Sequence, residues 1–341
     1  MTILYAFQGT GNGHVARARD LVPRFATHGT VDVLIAGLES ELELGFPIRY
    51  RLQGLAMVYD QQGAVSYWKS LRRNNLLRFL RDVVRLPVKS YDLVIVDFEA
   101  VTSYACLLRG VKSLQLSHQA AFLSKESPRP SKIILHWEWV LRYMSPSKYA
   151  IGFHFKPYDT FIVPPIIRQE IRSVVPTVGA HYTVYLPSYK SNYLTQLFTR
   201  FSKEKFEIFT KESIDIQEGN TRILKASVEE FKASLTNAKG LICGAGFEAP
   251  AEARFLGKKV LVCPIKGQYE QACNGTAAQD IGIHFIPEMT AENITILTEF
   301  LEAEPTNSIA WKDYADELVQ CIVNNAINQR PLDDISSLQV W

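Results

Sequence analysis

Cysteine is scarce and unpatterned in this chain. The five cysteines, Cys106, Cys243, Cys263, Cys273 and Cys321, are odd in number and form no CxxC pair. That disfavours both a disulfide framework and a cysteine zinc site. Charge of one sign is missing too. The 37 Lys and Arg stand against 35 Asp and Glu, which is a poor fit to a protein devoted to nucleic acid. No apolar run approaches the roughly 18 residues that span a bilayer. The opening MTILYAFQGTG has no basic flank, and its apolar stretch is too short for a signal peptide. No Asp-x-Asp occurs, and His28, His136, His154, His181 and His284 show no metal-ligand spacing. The expectation is a reduced, cytoplasmic protein without metal or cofactor, with room for a peripheral position on the inner face of a membrane.

What is present is a two-domain α/β pattern. At roughly 100–200 residues per domain, 341 residues suit two domains. Apolar runs at 2–7, 31–36, 48–52, 92–97 and 112–116 alternate with helical patterns. Prolines crowd 157–187. Alternation then resumes, with runs at 181–186, 206–210, 221–224, 240–243 and 259–264 and helical patterns at 191–203, 227–237 and 247–256. Continuous apolar strands between helices mean parallel sheets covered on both faces. The fold class is therefore α/β: two doubly wound, Rossmann-like domains facing across a cleft. The expected limits are 1–165, a linker at 166–180, and 181–307. A last helix in 308–341 is in reach of the first domain.

Gly9-Thr10-Gly11-Asn12-Gly13-His14 follows the first strand and opens a helix. Glycine allows close backbone approach, and a helix start offers free N–H groups to an anion. A dinucleotide fingerprint would put glycine where His14 stands, although Glu39 supplies an acid near the end of the second strand. Imidazole can take a proton from a hydroxyl at neutral pH. That makes His14 a candidate general base, against a plain capping or packing role. Asp97 and Glu99 end the strongest strand, at the carboxyl edge that faces a ligand crevice. They are candidates to orient His14 or bind an acceptor, or else a charge pair favoured by a helix dipole.

A second constellation fills 243–274. Gly244-Ala245-Gly246-Phe247 lies between a strand and a helix. Glu252 is on that helix, expected two turns in, and Glu270, Gln271 and Asn274 open the next helix. A carboxylate can accept two ribose hydroxyls, and carboxylate with amide can hold several sugar hydroxyls.

In these residues the chain resembles the GT-B glycosyltransferases, in particular the lipid II-forming N-acetylglucosaminyltransferases and the UDP-glycosyltransferases. It is more similar still to a microbial branch opening GxGxGHxxR, here Gly9 to Arg17. The resemblance implies transfer of a sugar from a nucleotide-diphospho-sugar, UDP-linked, to an acceptor hydroxyl, with inversion and without metal. It implies His14 as base. It implies that Gly11, Asn12, Gly13, His118 and Gln119 lie at the acceptor site, the last two within Ser117-His118-Gln119. On the donor it implies Val228 at the base, Gly244 to Phe247 at the diphosphate, Glu252 at the ribose, and Glu270, Gln271 and Asn274 at the sugar. The chain departs from the pattern in a longer first loop, in YLPSY (185–189) where a glycine loop is expected, and in Gly244 where a basic residue is expected. The diphosphate charge then falls to backbone N–H groups or Lys266. A UDP-sugar 2-epimerase and a nucleotide-sugar-binding protein without turnover are the competing readings.

Residues 66–89 carry Lys69, Arg72, Arg73, Arg78, Arg81, Arg85 and Lys89 against one acid, Asp82. Leu76, Leu77, Leu80, Val83 and Val84 recur at helical spacing. Such a basic amphipathic helix either packs its leucines on the sheet or lies against an anionic membrane or lipid diphosphate. Trp137, Trp139, Arg142 and Tyr143 add to the second reading.

Overall fold

The computed structural model describes residues 1–37, 44–55, 75–212 and 215–341. Glu39 and the first part of the basic segment, with Lys69, Arg72 and Arg73, lie outside them.

The described residues form two seven-stranded sheets. The first holds β1 (Thr2–Gln8), β2 (Thr30–Ala36), β3 (Tyr50–Leu52), β4 (Leu93–Asp97), β5 (Ser113–Ser117), β6 (Tyr149–Phe153) and β7 (Ile162–Val163), in the order β3-β2-β1-β4-β5-β6-β7. Every neighbouring pair in it is parallel. Its strands are continuous apolar runs because helices cover both faces, and β4, LVIVD, is buried along its whole length. The second sheet holds β8 (His181–Tyr185), β9 (Lys205–Thr210), β10 (Ile216–Glu218), β11 (Thr221–Lys225), β12 (Gly240–Gly244), β13 (Lys259–Cys263) and β14 (His284–Phe285), in the order β10-β11-β9-β8-β12-β13-β14. Only its edge pair β10–β11 is antiparallel.

Each sheet changes winding direction beside its first strand, at β1/β4 and at β8/β12. Ligand crevices open at the carboxyl ends of such switch points. The register sets Phe7 against Asp97, so the chain leaving β1 and the chain leaving β4 emerge side by side.

In the first domain, α1 (Asn12–Ala26) follows β1, α2 (Leu76–Arg85) precedes β4, α3 (Ala100–Arg109) follows it, and α4 (Leu135–Tyr143) lies before β6. A short helix, α5 (Gln169–Arg172), lies between the sheets. In the second domain come α6 (Ser191–Phe198), α7 (Val228–Asn237), α8 (Glu248–Phe255), α9 (Tyr269–Gln279) and α10 (Ile294–Glu302), and α11 (Ala315–Ile327) ends the series. The sixth helix stops at Phe198 rather than 203, because Asn220 Nδ2 ties off the carbonyls of Phe198, Phe201 and Glu204.

α11 packs on α1 with an Arg24–Asp316 ion pair at 2.6 Å. Trp341 Nε1 donates to the Ile162 carbonyl. One apolar core therefore runs through α1, α8 and α11 and closes the back of the cleft.

The leucines of α2 do not cover the sheet. Phe79 and Val83 are its buried residues, with Phe79 edge-on to Tyr104 of α3. Leu76, Leu77, Leu80 and Val84 face out, Leu77 being 81% exposed. Aromatic packing against α3 decides which side turns inward. Leu107 and Leu108 of α3 and Leu135, Trp139 and Tyr143 of α4 are exposed as well, and Tyr104 links α3 to α4 through the Tyr143 carbonyl. Among the described residues no helix is long and apolar enough to cross a membrane.

Candidate active site

The glycine loop after β1 is packed at its first glycine and open at Gly11. Gly9 N donates to the Ala36 carbonyl at 2.6 Å. A Cβ on Gly9 would stand 2.5 Å from the Gly37 oxygen. Gly11 caps α1 at φ +94°, a conformation that favours glycine. The helix begins at Asn12, two residues before the expected His14. His14 and Arg17, three residues apart, share its inward face.

There His14 Nδ1 meets Asp97 Oδ1 at 2.8 Å. Arg17 grips the same carboxylate, with Nε to Oδ2 at 2.8 Å and Nη2 to Oδ1 at 3.3 Å. Burial would raise the Asp97 carboxyl, but Arg17 and His14 outweigh it and hold it below its ordinary value. An ionised Asp97 can only accept, so the proton between them sits on His14 Nδ1, and in the neutral ring Nε2 is the nitrogen left to accept. Nε2 looks toward Gln119 Nε2 at 3.5 Å, and that amide donates to Glu270 Oε1 at 3.0 Å. Gln119 Oε1 is buried with no partner among the described residues, and such an atom calls for one.

Glu99 does not take the expected place at the acceptor. Phe98, in the left-handed region at φ +53°, turns the chain between the two acids. The Glu99 carboxylate then accepts from Val101 N at 2.6 Å and Thr102 N at 2.7 Å, fully buried at the start of α3. Burial raises it, against those N–H groups. It is a helix cap.

His118 and Asn274 also have partners other than an open ligand site. His118 stacks on Phe247 with ring centroids 4.0 Å apart, its Nδ1 facing the Phe153 carbonyl and its Nε2 facing Asn274 Oδ1 at 2.7 Å. Burial pushes its ring below the ordinary value, against the pull of Glu270. Asn274 Nδ2 in turn donates to the Ala245 carbonyl. The two residues seam one domain to the other and fix the loop after β12.

That loop is open at Gly246. A Cβ on Gly246 would meet nothing within 4 Å. The amides that start α8 follow directly. Gln271 Oε1 accepts from Ile265 N at 2.9 Å, steadying the turn after β13. Val228 is the first residue of α7, behind a Ser227 cap. Glu252 is the fifth residue of α8, one turn in rather than two. Its carboxylate is bound by Arg168 of the linker at 2.6 and 2.8 Å. A carboxylate has about four lone-pair sites, so Arg168 orients Glu252 and leaves two. Lys266 is exposed and paired with Glu288 at 3.6 Å.

Sequence reasoning assigned no role to three residues here: Arg17, Arg168 and Glu248. Arg17 Nη1 crosses the cleft to Glu248 Oε1 at 2.6 Å. Burial, against the pull of Arg17, pushes the Glu248 carboxyl up to about 7. The available signals were spacings, Arg17 one turn after His14 and Glu248 one turn before Glu252. A narrow recess with room for about one water, walled by Phe98, Trp137, Leu141 and Tyr269, adjoins Glu270. Among the described residues no group of three or more His, Cys, Asp or Glu is arranged to hold a metal ion.

The whole chain superposes on known two-domain sugar transferases. It covers 99% of its length on the glycosyltransferase SnogD from Streptomyces nogalater and 98% of that chain, at 13% identity and TM-score 0.53. For MurG of Acinetobacter baumannii both coverages are 99%, at 14% identity and TM-score 0.52. For a UDP-glucosyltransferase from Polygonum tinctorium the coverages are 96% and 93%, at 14% identity and TM-score 0.56. At these identities the likeness is one of fold, the GT-B arrangement of two facing sheets. No curated protein matches the chain by sequence. Residues 1–305 match glycosyl transferase family 1, and the chain belongs to that family.

Proposed function

We propose that the protein is an inverting transferase that moves a sugar from a nucleoside-diphosphate donor, UDP-linked, to an acceptor hydroxyl, with His14 as base. The reading is carried by the His14–Asp97 pair: an imidazole whose Nδ1 is held at 2.8 Å by a buried carboxylate and whose Nε2 faces the Gln119 amide. The acceptor O–H proton passes to Nε2. The new C–O bond forms at the anomeric carbon as the bond to the diphosphate breaks on the opposite face, and that electron pair leaves with the nucleoside diphosphate. The start of α8, through Gly244 to Phe247, stabilises the leaving charge. Glu252 serves the ribose, Glu270 and Gln271 the sugar, and Val228 the base. Gln119 places the acceptor hydroxyl. A solved relative is complexed with thymidine diphosphate, so dTDP is the nucleotide to weigh against UDP. A thermal-shift screen of UDP, dTDP and their sugars names the donor, and release of nucleoside diphosphate reports turnover. Turnover without release would make the protein an epimerase, and binding without turnover a carrier.

The acceptor side includes a second element. The exposed leucines of α2 stand among Arg78, Arg81 and Arg85, and α4 exposes Trp139 and Leu135, the latter 80% exposed. Apolar side chains rimmed by arginine suit an anionic membrane surface and a lipid-linked or cell-envelope acceptor, with the protein peripheral on the cytoplasmic side. Flotation with anionic liposomes at low salt tests this, and failure to float rejects it.

A further inference from the structure

A diphosphate at the start of α8 meets a difficulty of charge. Glu248 is the first residue of that helix, and its carboxylate already benefits from the amides that would bind the anion. The two negative groups compete for one place. No cationic side chain occurs in Gly244–Phe247 to settle the matter.

The charge in reach comes from the other domain. Arg17 Nη1 lies 2.6 Å from Glu248 Oε1, while its Nε and Nη2 remain on Asp97. Gly13 makes the approach possible, since a Cβ there would stand 3.3 Å from Glu248 Cγ. The other titratable groups facing Glu248 are His14 on α1, Tyr5 on β1, Asp97 on β4, Glu252 on its own helix, Arg168 from the linker and Tyr314 ahead of α11. Two cations thus face three carboxylates, an excess of negative charge before any ligand arrives.

We propose that donor binding is coupled to protonation of Glu248: a diphosphate group entering at the start of α8 brings one proton from solvent onto this carboxylate, and Arg17 Nη1 turns from Glu248 to the phosphate oxygens. The inference rests on the donor site proposed above. Atoms and charge balance simply, because the carboxylate becomes a carboxylic acid and releases its proton again when the nucleoside diphosphate departs. Arg17 keeps its hold on Asp97 throughout, so the base pair is undisturbed while one N–H group changes partner. The proton comes at little cost, since burial already holds the free carboxyl at about 7 and a nearby anion raises it further. Arg17 then supplies the positive charge that Gly244 lacks.

The test is titration calorimetry of the full chain with UDP and with dTDP, in two buffers of different ionisation enthalpy, which counts protons taken up. At about pH 8 the carboxyl is mostly ionised in the free protein, and uptake approaches one proton per nucleotide; toward about pH 6 uptake declines. Affinity weakens by up to roughly tenfold per pH unit above neutrality. Glu248→Gln shows neither uptake nor this slope, and at about pH 8 it binds at least as tightly as the parent. Nucleotide binding at about pH 8 without proton uptake overturns the inference and leaves the donor site standing. Failure of both nucleotides to bind the parent protein at either pH overturns the donor site, and the inference with it. Because the parent's own uptake decides the matter, the outcome does not depend on the variant folding.

Discussion

The two strand–loop–helix junctions of this protein are built alike and do different work. After β1, protein presses on Gly9 from the end of β2, while Gly11 caps the helix with open space beside it. The first turn of α1 then presents side chains, His14 and Arg17, to a buried carboxylate. After β12, Gly246 borders open space, and the helix that follows begins without a side-chain cap on its backbone N–H groups. The first junction aims side chains, and the second offers amides. One junction suits proton transfer and the other suits an anion, although both lie at the switch point of a similar sheet.

The largest expected effect falls on the first junction. His14→Ala lowers turnover, read as nucleoside diphosphate release, by about 10²–10⁴ if the imidazole is the base. Asp97→Asn acts in the same direction, because an amide no longer fixes the Nδ1 proton. Nearly normal turnover in His14→Ala would leave the first junction without a chemical task and remove the contrast.

Next is Gly9→Ala. The added methyl would lie 2.5 Å from the Gly37 oxygen and 2.8 Å from the Ile35 side chain. Backbone does not yield cheaply, so urea unfolding should show a loss of about 1–3 kcal/mol. An unchanged midpoint would mean that the first loop is not packed as described.

The frame of this contrast is legible in the sequence, and its wiring is not. Parallel strands buried on both faces read as unbroken apolar runs, which is why LVIVD and KVLVC stand out. Edge strands such as β7 and β14, two residues each, carry no such run. Asp97 marks itself by ending a strand, and His14 by following a glycine loop. Glu99 has the same position in the sequence, yet the left-handed Phe98 turns it back onto its own helix, and no composition announces that φ. Arg17 and Glu248 lie 231 residues apart, beyond any periodicity, so only the facing of the two domains brings them together. The helical spacing of α2 was readable, but the face it buries was set by Tyr104 on a neighbour.

Glu248 links the junctions and gives the contrast a pH dependence. In the folded protein its carboxyl is raised from 4.5 to about 7. A carboxyl raised on folding contributes stability that is complete at low pH and lost as pH climbs through the folded value. Relative to Glu248→Gln, the parent should therefore lose melting temperature between about pH 5 and pH 7.5, and little beyond. Asp97, held low, contributes in the opposite sense in both proteins and cancels in the difference. A gap between parent and variant that stays constant across that range would show that Glu248 is not held high by burial.

The smallest effect on stability belongs to Gly246→Ala, which makes it the sharpest probe of the second junction. Nothing lies within 4 Å of the added methyl, and its backbone is not in the left-handed region that would strain alanine. Unfolding should match the parent within about 0.5 kcal/mol. The room it takes is the room a diphosphate would use, so UDP or dTDP affinity should fall while stability holds. A loss of stability would mean that Gly246 is packed as Gly9 is. Stability and nucleotide affinity both unchanged would mean that the anion sits elsewhere on the helix start, and the division of labour between the junctions would have to be redrawn.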